Sequence, residues 1–318
     1  MTQSAAQPAA VTLKFQDPNR TATGAPRARV ALERLETLWF NTGTLCNIEC
    51  ANCYILSSPT NDALVYLTAA EVTGFLDEIA ALGLGTREIG FTGGEPFMNP
   101  EMPEMAEAAL ARGFEVLVLT NAMRPMMRPR MQAALTGLVR RFGDRLTLRV
   151  SLDHFEPAKH DAERGRGSFA VSLGGMRWLH KLGARMSVGA RTLWGEDEAE
   201  TRAGFAALFA REGFAIDAED CQSLVLFPEM DDRAEVPEIS TACWGILGKD
   251  PSEVMCASSR MVVRRKGADR PAVLSCTLLA YDQAFELGET LAQARGSVAL
   301  NHQHCAKFCV LGGARCSG

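Results

Sequence analysis

The 318-residue chain has no run of about 18 apolar residues, the length a bilayer core demands, which excludes a helical membrane span. Its first thirty residues are rich in Ala, Pro, Thr and Arg but lack the apolar stretch of a secretory signal. A formal net charge of −5 leaves no basic footprint for nucleic acid. Histidine is scarce, five residues in all, and none precedes His154. Cysteine is absent from residue 54 to residue 220, although the chain holds ten. Three lie at Cys46, Cys50 and Cys53, and seven lie from Cys221 onward, so two cysteine regions flank a cysteine-free scaffold. With no export signal the expected location is the reducing cytoplasm. There, clustered cysteines serve as metal ligands or redox groups more often than as disulfides.

What is present begins with Thr44-Leu-Cys-Asn-Ile-Glu-Cys-Ala-Asn-Cys-Tyr54. Three thiolates within eight residues can ligate three corners of a metal cluster and leave a fourth corner open. An open position is built for chemistry, whereas fully ligated sites are structural or carry electrons. A zinc knuckle needs a fourth ligand, and neither His nor Cys follows within the next hundred residues. Buried, inert free thiols are the other reading of the spacing by itself.

Between the cysteine regions short apolar runs alternate with helical patterns. Strands are predicted at 35–41, 88–92, 115–120, 146–152, 186–193 and 223–227, and helices at 68–82, 103–112, 129–142, 169–182 and 198–212. Thr68-Ala-Ala-Glu71 is a capping box, and Gly83 and Gly113 stop helices. Strand–helix repeats of this kind argue for parallel βαβ units. Pattern alone does not separate an open doubly wound sheet from a partial barrel. In both, the ligand site lies at the carboxyl ends of the strands. The cysteine loop, Thr92-Gly-Gly-Glu-Pro96, Thr120-Asn121 and Ser151-Leu-Asp153 all fall there.

Gly93 and Gly94 allow close backbone approach to a ligand, although Gly-Gly before Glu-Pro is also a common turn before a helix. Taken with the cysteines, this segment makes the chain resemble the radical S-adenosylmethionine (SAM) superfamily. Its Cys-x3-Cys-x2-Cys signature is matched by Cys46, Cys50 and Cys53, and its GGEP motif by Gly93–Pro96. The resemblance implies an α/β fold with a partial (β/α)6 TIM-type barrel. It also implies a [4Fe–4S] cluster on the three cysteines, with the amine and carboxylate of SAM at the fourth iron. Gly93, Gly94 and Glu95 would contact the SAM amine, with the Glu95 carboxylate as an acceptor. Asn121, Ser151 and Asp153 resemble positions that hydrogen-bond the ribose or carboxylate of SAM, although Asn and Asp also start turns. Arg164 is a bidentate partner for a carboxylate and Arg191 is its rival; a structural ion pair is the other reading of either. One position departs from the family. The usual aromatic before the third cysteine is Asn52 here, and the aromatic is Tyr54. His154 reads as a solvated loop histidine in preference to a substrate ligand.

Toward the C-terminus, Cys256, an apolar run, Lys266-Gly267 and a second apolar run ending at Cys276 read as a β-hairpin that brings two cysteines together. With Cys305, Cys309 and Cys316, they resemble the SPASM and twitch extensions of the same superfamily. Here the glycine-to-cysteine spacing is longer and one later cysteine group is present. The resemblance implies a second, auxiliary [4Fe–4S] cluster on Cys256, Cys276 and two of Cys305, Cys309 and Cys316. Zinc competes for such a set, and Cys221 and Cys243 stand apart. The expected organisation is a mobile tail over 1–33, with a short strand near Val11–Phe15. A barrel over 34–235 and a small cysteine-rich extension over 236–318 follow.

The implied function is an enzyme that reductively cleaves SAM and abstracts hydrogen from a small-molecule or peptide substrate. A flavodoxin- or ferredoxin-like reductant would feed it, and neither nucleic acid nor membrane is an expected partner. The first thirty residues are too short for the peptide-recognition winged helix of many maturases, which favours a metabolite. The alternatives are a non-catalytic iron–sulfur electron-transfer or scaffold protein, which has no need of a SAM seat, and a zinc-bearing hydrolase.

Overall fold

Strand alternation sets the architecture. The computed structural model describes residues 13–228 and 235–313. In chain order these form β1 (Arg29–Val30), β2 (Thr37–Asn41), α1 (Ala69–Leu82), β3 (Glu88–Thr92), α2 (Met102–Ala111), β4 (Glu115–Thr120) and α3 (Pro129–Phe142). Next come β5 (Leu146–Ser151), α4 (Pro157–Arg164), α5 (Ser168–Leu182), β6 (Arg185–Arg191), α6 (Glu198–Glu212), β7 (Leu224–Phe227) and α7 (Cys243–Leu247). The chain finishes with β8 (Ser259–Val263), β9 (Ala272–Leu274), β10 (Glu286–Gly288), β11 (Val298–Ala299) and a π-helical turn, Cys305–Leu311.

Strands β2 to β7 pair in sequence order and in parallel. Every second side chain, Leu38 and Phe40, Ile89 and Phe91, Val116 and Val118, Leu148 and Val150, joins the helices in one apolar core. The intervening positions turn inward, where Trp39 fills the space beside β3. A β-carbon at Gly90 would stand 2.4 Å from the Trp39 ring, so only glycine fits there. The sheet does not close, since its edges are β7 and β10, and the result is the expected partial barrel. The Thr68 capping box forms, with Glu71 N donating to Thr68 Oγ1 at 3.2 Å and Thr68 N donating to Glu71 Oε2 at 2.9 Å. Gly83 then ends α1 in the left-handed region at φ 59°.

Two features bear on the expected organisation. The C-terminal hairpin is not a separate layer. Strand β8 pairs in parallel with β2 and carries β9 and β10 onto the barrel sheet. Trp39, Ile55 and Leu64 share a cluster with Met261, Val263 and Leu274, so a boundary near residue 235 would cut a common core. Nor do residues 13–33 form a tail. Strand β1 pairs with β11, Ala28 and Val30 are buried, and buried Arg27 donates to Glu238 at 2.5 Å and to the Leu300 carbonyl at 3.1 Å. This short Ala- and Arg-rich stretch has no periodicity of its own, and its order comes from partners 211 and 273 residues away. Of the strand expected near Val11–Phe15, Val11 and Thr12 lie outside the described residues, and Leu13–Phe15 are not extended into a ladder. No helix among the described residues is long and apolar enough to cross a membrane.

Candidate active site at the carboxyl ends of the strands

The parallel strands end on one rim, around a cavity of about 130 Å³. Cys46, Cys50, Cys53, Gly93, Gly94, Asn121, Ser151, Asp153, Arg164 and Arg191 all line it. A larger cavity, about 280 Å³, opens at the opposite end around Thr37, Glu88, Thr147 and Ser187, and no cysteine reaches it.

The cysteine loop leaves β2 and is pinned along its length. Thr44 N donates to Leu64 O at 2.9 Å and Cys46 N to Ser58 O at 3.0 Å. From the other strand end, Gly94 N donates to Gly43 O at 2.9 Å and Glu95 N to Leu45 O at 3.2 Å. A β-carbon at Gly93 would lie 2.5 Å from Gly43 O, and one at Gly94 would lie 2.3 Å from Leu45 O. The two glycines are therefore required by the cysteine loop itself, and they also wall the cavity. Helix α4 braces the loop from the side, because Ala51 N donates to Glu163 O at 2.8 Å and Asn52 Nδ2 to the Glu163 carboxylate at 2.9 Å. Asn52, in the place of the family's aromatic, thus serves as a tether, and both it and Tyr54 line the cavity.

Four of the predicted or weighed residues, Glu95, Asp153, Arg164 and His154, meet partners within the protein. The Glu95 carboxylate is buried and held by three donors of the protein. It accepts from Thr120 Oγ1 at 2.9 Å, Asn121 N at 2.8 Å and Phe97 N at 3.2 Å. Burial pushes its pKa up to about 7 against those three donors. Glu95 therefore ties β3 to β4 and is not an acceptor facing the cavity. Asp153 and Arg164 spend themselves on each other in a bidentate pair, 2.7 and 2.9 Å. Burial opposes the Asp153 charge, yet Arg164 holds the carboxyl below its usual range. His154 is buried, not solvated. Its ring lies tilted 4.1 Å from that of Phe155, accepts from Glu156 N at 2.9 Å and meets Glu196 at 3.2 Å. Burial and Lys159 lower its pKa, and it does not line the cavity.

The remaining predicted residues stay on the cavity wall. Asn121 Nδ2 donates to Asn47 Oδ1 at 3.0 Å and stands 4.0 Å from Cys46 Sγ. Arg191 gives one nitrogen to Asn52 O at 2.6 Å, and Ser151 ends β5 beside it. Burial pushes the Cys46 thiol up to about 12 and raises Cys50 too, with Arg164 pulling Cys50 back. Thiols so disfavoured as anions ionise when a metal takes the proton's place. Among the described residues no three Cys, His, Asp or Glu side chains close on a single metal ion. A cubane asks for something looser, since each thiolate sits on its own iron corner, and three soft donors around one cavity suit it.

A second cavity, about 140 Å³, adjoins the first and shares Tyr54, Ser151, Asp153, Arg164 and Arg191 with it. Leu119, Phe227, Leu278 and Phe308 form its apolar side, and the last two come from the C-terminal region. In that region Cys256 and Cys305 are buried in one apolar cluster, against which Cys276, Cys309 and Cys243 pack. Burial raises Cys256 to about 11 and Cys305 to about 12. Cys243, expected to stand apart, joins the group; Cys221 is exposed, and Cys316 lies outside the described residues. Sequence reasoning missed Arg260. It is buried beneath this group and donates to the carbonyls of Cys256, Ser259, Ala294 and Gly296. An arginine inside the apolar run Ser259–Val263 was the available signal.

The profile of the Radical SAM superfamily matches residues 40–203, which include the cysteine loop, both glycines and β3 to β6. The chain belongs to the Radical SAM superfamily. Members of that superfamily carry a [4Fe–4S] cluster and SAM. Relatives include the antilisterial bacteriocin subtilosin biosynthesis protein AlbA of Bacillus subtilis, 31% identical over 47% of this chain and 32% of its own length. Another is an AdoMet-dependent heme synthase of Methanosarcina barkeri, 32% identical over 43% of this chain and 36% of its own. The chain spans about a third of the length of these curated relatives. The solved structure of native anSMEcpe with bound AdoMet superposes with a TM-score of 0.58 at 13% identity, over 81% of this chain and 79% of that one. That likeness extends the Radical SAM fold beyond the profile match.

Proposed function

We propose that this chain is a radical SAM enzyme with Cys46, Cys50 and Cys53 as the ligands of its SAM-binding [4Fe–4S] cluster. One observation carries the reading: the three thiols and the Gly93–Gly94 backbone line one cavity at the strand ends. When bound and reduced, the cluster supplies the electron that splits SAM to methionine and a 5′-deoxyadenosyl radical. The protein's own part is to seat and exclude. Gly93 and Gly94 offer backbone, and Asn121, Ser151 and Arg191 offer donors, to the amine, ribose and carboxylate of SAM. Arg164 keeps Asp153 neutralised and fixes α4 under the cysteine loop. The adjoining cavity, with Leu119, Phe227, Leu278 and Phe308 on its apolar side, receives the substrate carbon and keeps water from the radical.

The substrate is a small molecule or a peptide. Similarity to a bacteriocin biosynthesis protein favours the peptide, and similarity to a heme synthase favours the small molecule. A flavodoxin- or ferredoxin-like protein would supply the electron. A second [4Fe–4S] cluster on Cys256, Cys276 and two of Cys305, Cys309 and Cys316 is supported by the gathering of four of these thiols in one buried cluster.

The test is anaerobic reconstitution of the chain and of its Cys46/Cys50/Cys53→Ala variant. The wild type should form 5′-deoxyadenosine from SAM and dithionite. The variant should form none while keeping the iron of the C-terminal site. Deoxyadenosine from the variant would overturn the ligand assignment.

A further inference from the structure

Ser57 stands in the wall of the cysteine cavity, four residues beyond Cys53. Between them Leu56 adopts the left-handed region at φ 49°, a conformation that costs a branched side chain energy. That turn swings the chain back, and Ser57 N donates to Cys53 Sγ at 3.3 Å. The Ser57 hydroxyl has no hydrogen-bond partner, although the residue is only 3% exposed. Its neighbour Ser58 differs, because that oxygen accepts from Thr60 N at 3.3 Å and Asn61 N at 3.1 Å. A buried hydroxyl without a partner forfeits its hydration and gains nothing in return. The chain therefore holds two unfavourable features at one spot, a strained turn and a bare hydroxyl, and both serve the approach to the third cysteine.

We propose that the Ser57 hydroxyl donates to the sulfur at the Cys53 corner of the SAM-binding cluster and, with its own amide, makes that cluster easier to reduce. Hydrogen bonds to cluster sulfur favour the more negative, reduced state, and they are among the features that set such potentials. The inference rests on the ligand assignment proposed above.

Ser57→Thr and Ser57→Val add the same branch and differ in the hydroxyl alone. The measurement is an EPR-monitored redox titration of the reconstituted full chain, with the signal that changes on adding SAM marking the relevant cluster. Ser57→Thr should keep the wild-type midpoint. Ser57→Val should move it negative, lowering the reduced-to-oxidised ratio at the wild-type midpoint roughly fivefold, the factor one ordinary hydrogen bond commands. Ser57→Ala repeats the comparison without added bulk, should the valine variant fail to load iron. Ser58→Ala should leave the midpoint in place. Equal midpoints in the threonine, valine and alanine variants, with the SAM-responsive signal intact, would overturn the proposal. So would a loss of SAM affinity in the valine variant at unchanged midpoint. A wild type lacking any SAM-responsive signal would instead remove the cluster assignment underneath it.

Discussion

Asp153 and Arg164 show how much of a side chain's role lies outside its identity. The sequence marks both as charged groups near a strand end, and the fold turns them toward each other where both are largely buried. Replacing Asp153 by Asn leaves Arg164 buried without its countercharge. The apoprotein should lose about 3–5 kcal/mol in chemical denaturation, the usual penalty for breaking a buried pair from one side. His160 gives the pH dependence. Its Nδ1 accepts from Asp153 N at 3.1 Å, and burial together with Arg164 lowers its pKa from 6.5 to about 4. Between those values the unfolded chain binds a proton that the folded chain refuses. Stability should therefore fall as pH drops below 6.5, by up to about 3 kcal/mol near pH 4. His160→Asn keeps an acceptor in place and removes the titration. Unfolding measured from pH 7 to pH 4 should show a flatter slope in that variant.

At the scale of elements, local signals carried far. The Thr68 capping box, the Gly83 stop, and the strands Glu88–Thr92 and Glu115–Thr120 stand where pattern put them, because each depends on neighbours in sequence. Helix α4 has no counterpart among the predicted helices: eight residues with one buried side chain, His160, carry too little apolar periodicity to announce themselves. The glycine pair was legible as a place of close approach, but what approaches is the cysteine loop. Gly94→Ala should push Leu45 out of position while leaving the sheet intact. Reconstituted protein should then lose about one cluster of iron with an unchanged far-UV spectrum. Full iron content would show that the loop tolerates the shift.

At the scale of the molecule, the barrel and the C-terminal region are one body. Strand β8 covers the edge of β2, Tyr281 donates to Ile55 O in the cysteine loop, and Leu278 and Phe308 help wall the second cavity. A chain ended at residue 235 would expose the β2 edge and half of the Trp39 cluster. It should aggregate or melt without a cooperative transition, as judged by sedimentation and thermal denaturation. A monomeric, cooperatively folding fragment would restore the two-domain picture. The sequence by itself determined the local features: three cysteines at fixed spacing, a glycine pair at the next strand end, and an alternation that argues for parallel βα units. Those features are short-range, and a few residues suffice to encode them. Only the tertiary structure decided which charges answer one another, that Glu95 braces strands, that β1 pairs with β11, and that β8 joins the barrel sheet. Each depends on contacts between residues far apart in the chain, for which no local pattern exists.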